Sequence, residues 1–302
     1  MSGLFHPNPT SATSDGLYPK HIVYPLNDGS VIPSPAFGVG SALYQKNATE
    51  DVLLALKNKY RHLDNAAIYK NEESVGDAIR QSGLHRKELY LTSKFANIDG
   101  DDVRTEFNKS LAKLGVDYLD LYLIHFPSAA ESAGGIAKVW KEFELLKAEG
   151  LVKSIGVSNF GVKELTELLL IAKTKPAVNQ IRYHAYNALE NAPLLAFAAL
   201  NDIKIEAYSS LSPITKFPGG PADAIAEQVA HRISTVKGDV DITVSQATLD
   251  WVKTKGIVIV TTSGKNFRQK EQLEVVQNDF PEWLDEEIEA YEKAGPGWDK
   301  KN

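Results

Sequence analysis

The chain has 302 residues, of which 43% are apolar and 24% charged, with a formal net charge of -6 and no cysteine. This is the composition of an ordinary globular protein with enough apolar material for a full core, and its acidic balance argues against a nucleic-acid or anionic-membrane surface, which needs a basic patch. Without cysteine there is no disulfide, no thiol nucleophile and no cysteine-based metal site, which fits a reducing compartment.

Residues 1–20, MSGLFHPNPTSATSDGLYPK, are rich in Ser, Thr, Pro, Asn and Gly and are expected to form a flexible tail without chemistry. They hold no basic stretch followed by an apolar run, and nowhere does the chain offer the roughly 18 consecutive apolar residues of a membrane span. No signal peptide and no membrane association are expected, and the cytoplasm is the expected location.

From residue 21 to 302 a single domain is expected. HIVYPLNDGSVIPSPAF places two short apolar runs around Asn27-Asp28-Gly29, a β-hairpin signal. Short β-branched runs then alternate with amphipathic helical windows. The runs are 36–40 (AFGVG), 61–64 (RHLD), 88–95 (ELYLTSKF), 118–126 (YLDLYLIHF), 153–159 (KSIGVSN), 177–183 (AVNQIRY), 203–210 (IKIEAYSS) and 257–263 (IVIVTTS). Their nearly continuous apolar character is that of strands buried on both faces of a parallel sheet. Eight such βα units predict a (β/α)8 TIM barrel with an N-terminal β-hairpin.

In such a barrel the active site lies at the C-terminal ends of the strands. Those ends carry Asp64, Tyr69 just beyond, Lys94, His125, Ser158 with Asn159, Gln180, Tyr208, and Thr262 with Ser263. Buried polar groups need partners, because each unpartnered one costs several kcal/mol. Asp64, Tyr69, Lys94 and His125 come from successive strands and converge. Beside Asp64 the lysine stays charged, and its ammonium is expected to draw the Tyr69 phenol down from its usual pKa of roughly 10. Such a phenol protonates a carbonyl oxygen, and His125 orients it. No metal cluster and no Ser-His-Asp arrangement is present to supply the nucleophile, which leaves a hydride from a nicotinamide as the candidate.

Ser158, Asn159 and Gln180 offer donors and acceptors suited to a carboxamide, and Tyr208 a surface for a flat ring. Thr262, Ser263, Lys265 and Arg268 surround a glycine-containing turn into a helix, a candidate phosphate site. No strand is followed by G-x-G-x-x-G, so a Rossmann dinucleotide fold is not supported.

From about residue 24 onward the sequence resembles the aldo-keto reductases. RHLDNAAIYKNEESVG resembles that family's Asp-to-Tyr segment, LTSKF its lysine strand, DYLDLYLIHFP its histidine strand, and KSIGVSNF and PAVNQIRYH its nicotinamide-contacting segments. The resemblance implies a catalytic tetrad of Asp64, Tyr69, Lys94 and His125. It also implies cofactor contacts from Ser158, Asn159, Gln180, Tyr208, Ser209, Thr262, Ser263 and Arg268, and substrate-pocket positions at Tyr44 and Phe126. It further implies NADPH as cofactor, a small-molecule carbonyl substrate and a monomer.

Departures from the family pattern shape the expectation further. Asn65 stands where the family commonly has Thr. Thr262 stands where many members carry a lysine toward the 2′-phosphate, and Val260-Thr261-Thr262-Ser263 is similar to a fungal branch acting on α-keto amides and conjugated polyketones. Ala96, Arg182 and Ala185 also differ from the commoner residues, in the direction of a wider pocket. Two other readings are open from the residues alone: a Schiff-base aldolase using Lys94, and a nucleotide-binding regulatory subunit that retains the barrel without turnover.

Overall fold

The computed structural model describes Tyr18, residues 21–238 and residues 240–300. The chain enters through an antiparallel hairpin of β1 (Ile22–Pro25) and β2 (Val31–Ser34). Its turn follows the Asn-Asp-Gly signal. Gly29 has φ of 82°, a left-handed value that a residue without Cβ adopts readily, and the Leu26 N–H donates to the Ser30 carbonyl at 2.9 Å. Asp28 anchors the turn to the barrel by accepting from Lys147 Nζ at 2.7 Å and Ser154 Oγ at 2.9 Å.

The eight expected strands are all present: β3 (Ala36–Gly38), β4 (His62–Asp64), β5 (Tyr90–Phe95), β6 (Leu119–Ile124), β7 (Val152–Ser158), β8 (Val178–Arg182), β9 (Lys204–Tyr208) and β10 (Val258–Thr261). They pair in parallel in sequence order, and β10 closes on β3 to complete the barrel. Most are shorter at their C-terminal ends than the apolar runs suggest, because the last residues leave the ladder to form the loops of the open end. Every residue of β5 and β6 is buried, one face against the barrel interior and the other against helices, which accounts for their unbroken apolar pattern. Outside β6, Tyr122 packs on Phe107 and Phe143, and Phe143 on Trp140, with ring centroids 4.8 to 5.8 Å apart.

Helix boundaries follow local chemistry. The helix Val103–Leu114 begins where the Asp102 carboxylate accepts from the Thr105 N–H at 2.7 Å and stops at Gly115, which has φ of 69°. At the N-terminal end of the barrel, Tyr24, Leu26 and Ile32 of the hairpin pack with Tyr90, Leu121, Val178 and Val258. Of the expected tail, Tyr18 alone is among the described residues; it is buried here, edge-on to Tyr90 at 6.4 Å. This plug leaves the opposite end, where the polar strand ends lie, as the open one. No helix among the described residues is long and apolar enough to cross a membrane.

Candidate active site

The open end is organised by one buried lysine. Parallel pairing of β4, β5 and β6 sets Asp64 beside Thr92 and Lys94 beside Leu123, so Lys94 rises one step above Asp64 and leans toward it. The Lys94 side chain is 0% exposed. Its ammonium has three N–H donors and three acceptors around it: Asp64 Oδ1 at 2.7 Å, the Asn65 carbonyl at 2.9 Å and the Tyr69 hydroxyl oxygen at 3.3 Å. Burial, the largest single influence, acts to discharge it, but the Asp64 charge and hydrogen bond together with Tyr69 and Glu206 outweigh burial and raise its pKa.

Tyr69 arrives on a 3-10 turn, Ala67–Tyr69, that ends with Lys70 in the left-handed region. Because Lys94 donates to the phenol oxygen, the phenol proton remains free to be given to a ligand. One expectation is corrected here. The Tyr69 pKa is raised rather than lowered, since burial outweighs the opposing pull of Lys94; the phenol is protonated across the neutral range. His125 stacks on Phe126 at 4.4 Å and meets Tyr69 edge-on at 5.5 Å. Burial, reinforced by Lys94, pushes its pKa down to about 2, so it is a neutral imidazole. Its Nδ1 is buried without a partner.

On the far side of the mouth, the expected carboxamide residues bond to one another. Ser158 Oγ donates to the Gln180 carbonyl at 2.8 Å and accepts from Asn159 Nδ2 at 3.0 Å. Asn159 Nδ2 also donates to the His125 carbonyl at 3.0 Å, and its Oδ1 accepts from the Tyr208 hydroxyl at 2.8 Å. Asn159 has φ of 62°, a conformation asparagine tolerates better than most residues. Gln180 Nε2 donates to Asp64 Oδ1 at 3.0 Å and to Glu206 Oε2 at 2.9 Å. With both N–H bonds directed to carboxyl groups, Gln180 offers a ligand its carbonyl oxygen.

A cavity of about 370 Å³ runs from Asp64, Tyr69, His125, Phe126 and Gln180 past Tyr208 and Ser209 to Thr262. Ser210, Ser212 and Lys216 also line it, and the hydroxyls of Ser210, Ser212 and Thr262 are buried with no partner. A row of orphaned donors beside a lysine is chemically suited to phosphate oxygens, so the residues present fit an extended dinucleotide without a Rossmann fold. Ser263 Oγ accepts from the Lys265 N–H at 3.1 Å, and Arg268 is exposed with its guanidinium 5.7 Å from the Phe267 ring centroid. Lys94, Ser158, Asn159, Ser263 and Arg268 do not line this cavity. Tyr44 does not either; it is exposed at the rim, edge-on to Tyr69 at 6.4 Å.

Two asparagines flank the Tyr69 turn. Asn71 has the position of an N-cap for the helix Glu72–Ser82 but its side chain does not cap it. Instead, Nδ2 donates to the carbonyls of Val39 at 2.9 Å and Leu43 at 2.8 Å, holding the loop after β3. Asn65 now has a role, as its Nδ2 donates to the Leu63 and Thr92 carbonyls and fastens the end of β4 to β5. Ser210, Ser212 and Lys216 at the cavity escaped the sequence reading, as did three further residues. Gly40 lines the cavity against Tyr69, Glu206 lies beneath Gln180, and Asp299 near the C-terminus pairs with Arg182 at 3.0 Å.

Comparison with known proteins identifies the family. The model of the aldo/keto reductase family matches residues 36–293. The chain is 38% identical over 253 residues to the NAD/NADP-dependent indole-3-acetaldehyde reductase of Schizosaccharomyces pombe, covering 81% of this chain and 86% of that protein. It is 36% identical over 280 residues to the glyoxal reductase of Bacillus subtilis, covering 91% and 95%. Its fold is similar to the crystal structure of Bombyx mori aldo-keto reductase in complex with NADP, with a TM-score of 0.79, 29% identity and coverage of 90% of this chain and 92% of that one. The chain belongs to the aldo/keto reductase family.

Proposed function

We propose that this protein reduces the carbonyl group of an aldehyde or ketone to an alcohol with NADPH, and that Tyr69 is the proton donor. The observation that carries the reading is the saturated Lys94 ammonium, bonded at once to Asp64, Asn65 and Tyr69. NADPH, when bound, supplies the hydride that reduces the carbonyl carbon. Tyr69 gives its free proton to the carbonyl oxygen, and Lys94 stabilises the phenolate left behind. His125, neutral, orients that oxygen by a hydrogen bond without contributing charge.

On the cofactor side, Gln180 and Asn159 Oδ1 present acceptors, so they suit the amide N–H2 of a nicotinamide. Tyr208 provides a ring face, the hydroxyls of Ser210, Ser212 and Thr262 suit phosphates, and Ser263 and Arg268, by their resemblance to the family pattern, are assigned to the 2′-phosphate. The Schiff-base alternative is disfavoured because Asp64 keeps Lys94 protonated and its lone pair unavailable.

The finer assignment, to α-keto amides and conjugated polyketones, is supported by Val260-Thr261-Thr262-Ser263 and by Ala96 in the β5 loop. A cytoplasmic monomer completes the reading, in keeping with the acidic, cysteine-free composition. The test is loss of NADPH absorbance with purified protein across simple aldehydes, α-keto amides, diketones and polyketones. Turnover confined to simple aldehydes would remove the finer assignment, and cofactor binding without turnover of any carbonyl would remove the reductase reading.

A further inference from the structure

Glu206 is buried in the barrel interior with a side-chain exposure of 0%, and the chemistry above makes no use of it. It lies on β9 two residues before Tyr208, so both side chains fall on the same face of the strand, about 6.7 Å apart along it. Gln180 Nε2 joins it to the catalytic pair by bonding to Glu206 Oε2 and Asp64 Oδ1 together. Its other oxygen, Oε1, has no hydrogen-bond partner and faces His62 Nε2 at 3.9 Å.

The His62 tautomer fixes what that contact means. Nδ1 lies 2.9 Å from the Pro33 carbonyl, which can only accept, so Nδ1 carries the proton and Nε2 is a lone pair, satisfied by the Thr92 hydroxyl at 2.9 Å. His62 therefore has no proton to give Oε1, and an ionised Glu206 would be a second buried carboxylate beside Asp64 on the one Gln180 amide, with a single hydrogen bond to hold it. The surrounding groups are Asp64 and His62 from β4, Tyr90 and Lys94 from β5, and Gln180 from β8, whereas β10 presents Val258 and Val260. Burial, with the Asp64 charge added, pushes the Glu206 pKa up to about 8 against the opposing effects of Gln180 and Lys94.

Resting on the cofactor reading above, we propose that Glu206 is a positioning and charge-setting residue that controls the preference of the site for oxidised over reduced nicotinamide. It acts in two ways. By accepting one Gln180 N–H it turns the Gln180 carbonyl oxygen toward the cavity. By holding or losing a proton it changes the charge beneath the Tyr208 platform from neutral to negative. The oxidised nicotinamide ring is positively charged and the reduced ring is not, so an ionised Glu206 tightens the oxidised form selectively. A unit charge at this range, in a medium of intermediate dielectric, alters the ratio of the two affinities on the order of tenfold.

The test is calorimetric titration of NADP+ and NADPH into the wild type and Glu206→Gln from about pH 6 to pH 10. Glutamine keeps the shape and the acceptor for Gln180 but cannot ionise. Because both nucleotides carry the same 2′-phosphate, its titration cancels in the ratio. In the wild type, preference for NADP+ over NADPH should grow about tenfold as pH rises through about 8, while Glu206→Gln keeps the low-pH ratio throughout. A purely structural Glu206 would weaken both nucleotides alike and leave the pH dependence in place, overturning the proposal. A flat wild-type ratio would overturn it too. Failure of either nucleotide to bind the wild type would instead overturn the cofactor reading beneath it. Should the variant not fold, the infrared carbonyl band of a buried protonated carboxyl decides on wild-type protein: loss of that band above about pH 8 supports the assignment, and its absence at neutral pH overturns it.

Discussion

Gly40 and Tyr69 stand so close that no side chain fits between them. A Cβ built on Gly40 would lie 2.6 Å from Tyr69 Cζ and within 3.0 Å of both neighbouring ring carbons. The phenol is therefore wedged between backbone on one side and Lys94 on the other. Gly40→Ala should move the ring and lower kcat on the order of a hundredfold, the scale of a misplaced reacting group. The check is a double-mutant cycle. Gly40→Ala should add little to Tyr69→Phe if it acts through the phenol, whereas a full additional loss would show a separate effect.

The two ionisation states at the mouth make a joint prediction for pH. His125 titrates near pH 2 and Tyr69 above its usual value near 10. The protonated phenol is the reactive form, so the rate of carbonyl reduction should show no break below about pH 7, respond to Glu206 ionisation near pH 8, and fall as pH climbs past the phenol's pKa. Single-turnover rates against pH would show this. A break near pH 6.5, where an ordinary histidine titrates, would mean that His125 rather than Tyr69 is the acid.

Equal bond lengths need not mean equal contributions. Lys94–Asp64 and Arg104–Glu149 both span 2.7 Å, yet the first is sealed in the barrel and the second is on the surface. Lys94→Met leaves Asp64 charged and unpaired in the interior and should destabilise the fold by about 3 to 5 kcal/mol. Arg104→Ala should leave the denaturation midpoint almost where it was, because water and salt already screen that pair. Urea unfolding of the two variants settles the comparison.

Much of this was legible in the chain, and the exceptions share a physical cause. Asp64, Lys94 and His125 could be placed because a polar residue ending an apolar run has few neighbours to satisfy it except other strand ends. Glu206 was hidden because both faces of a barrel strand are buried, so alternation does not say which face looks inward. Asn71 has the residue type and position of a helix cap, but the Val39 and Leu43 carbonyls, distant in sequence, claim its amide. The Tyr69 pKa turned on a balance between burial and one charge, which no spacing of residues reveals.

Arg268 is exposed and follows the Thr262-Ser263 turn, where the 2′-phosphate is proposed to be held. Arg268→Ala should weaken NADPH by tenfold or more, the scale of a lost charge-assisted hydrogen bond of roughly 1.5 to 3 kcal/mol, while NADH is nearly unaffected. Kd values for the two nucleotides measured side by side would show it. Equal losses would move the phosphate elsewhere.

The most direct measurement on the central claim is hydride transfer by Tyr69→Phe under saturating NADPH, with the NADPH Kd determined on the same preparation. If Tyr69 is the proton donor at a preformed cofactor site, the rate falls by about 10² or more, the range for losing a general acid, and Kd stays within a few-fold of wild type. A Tyr69→Phe protein that reduces carbonyls at the wild-type rate would contradict the account.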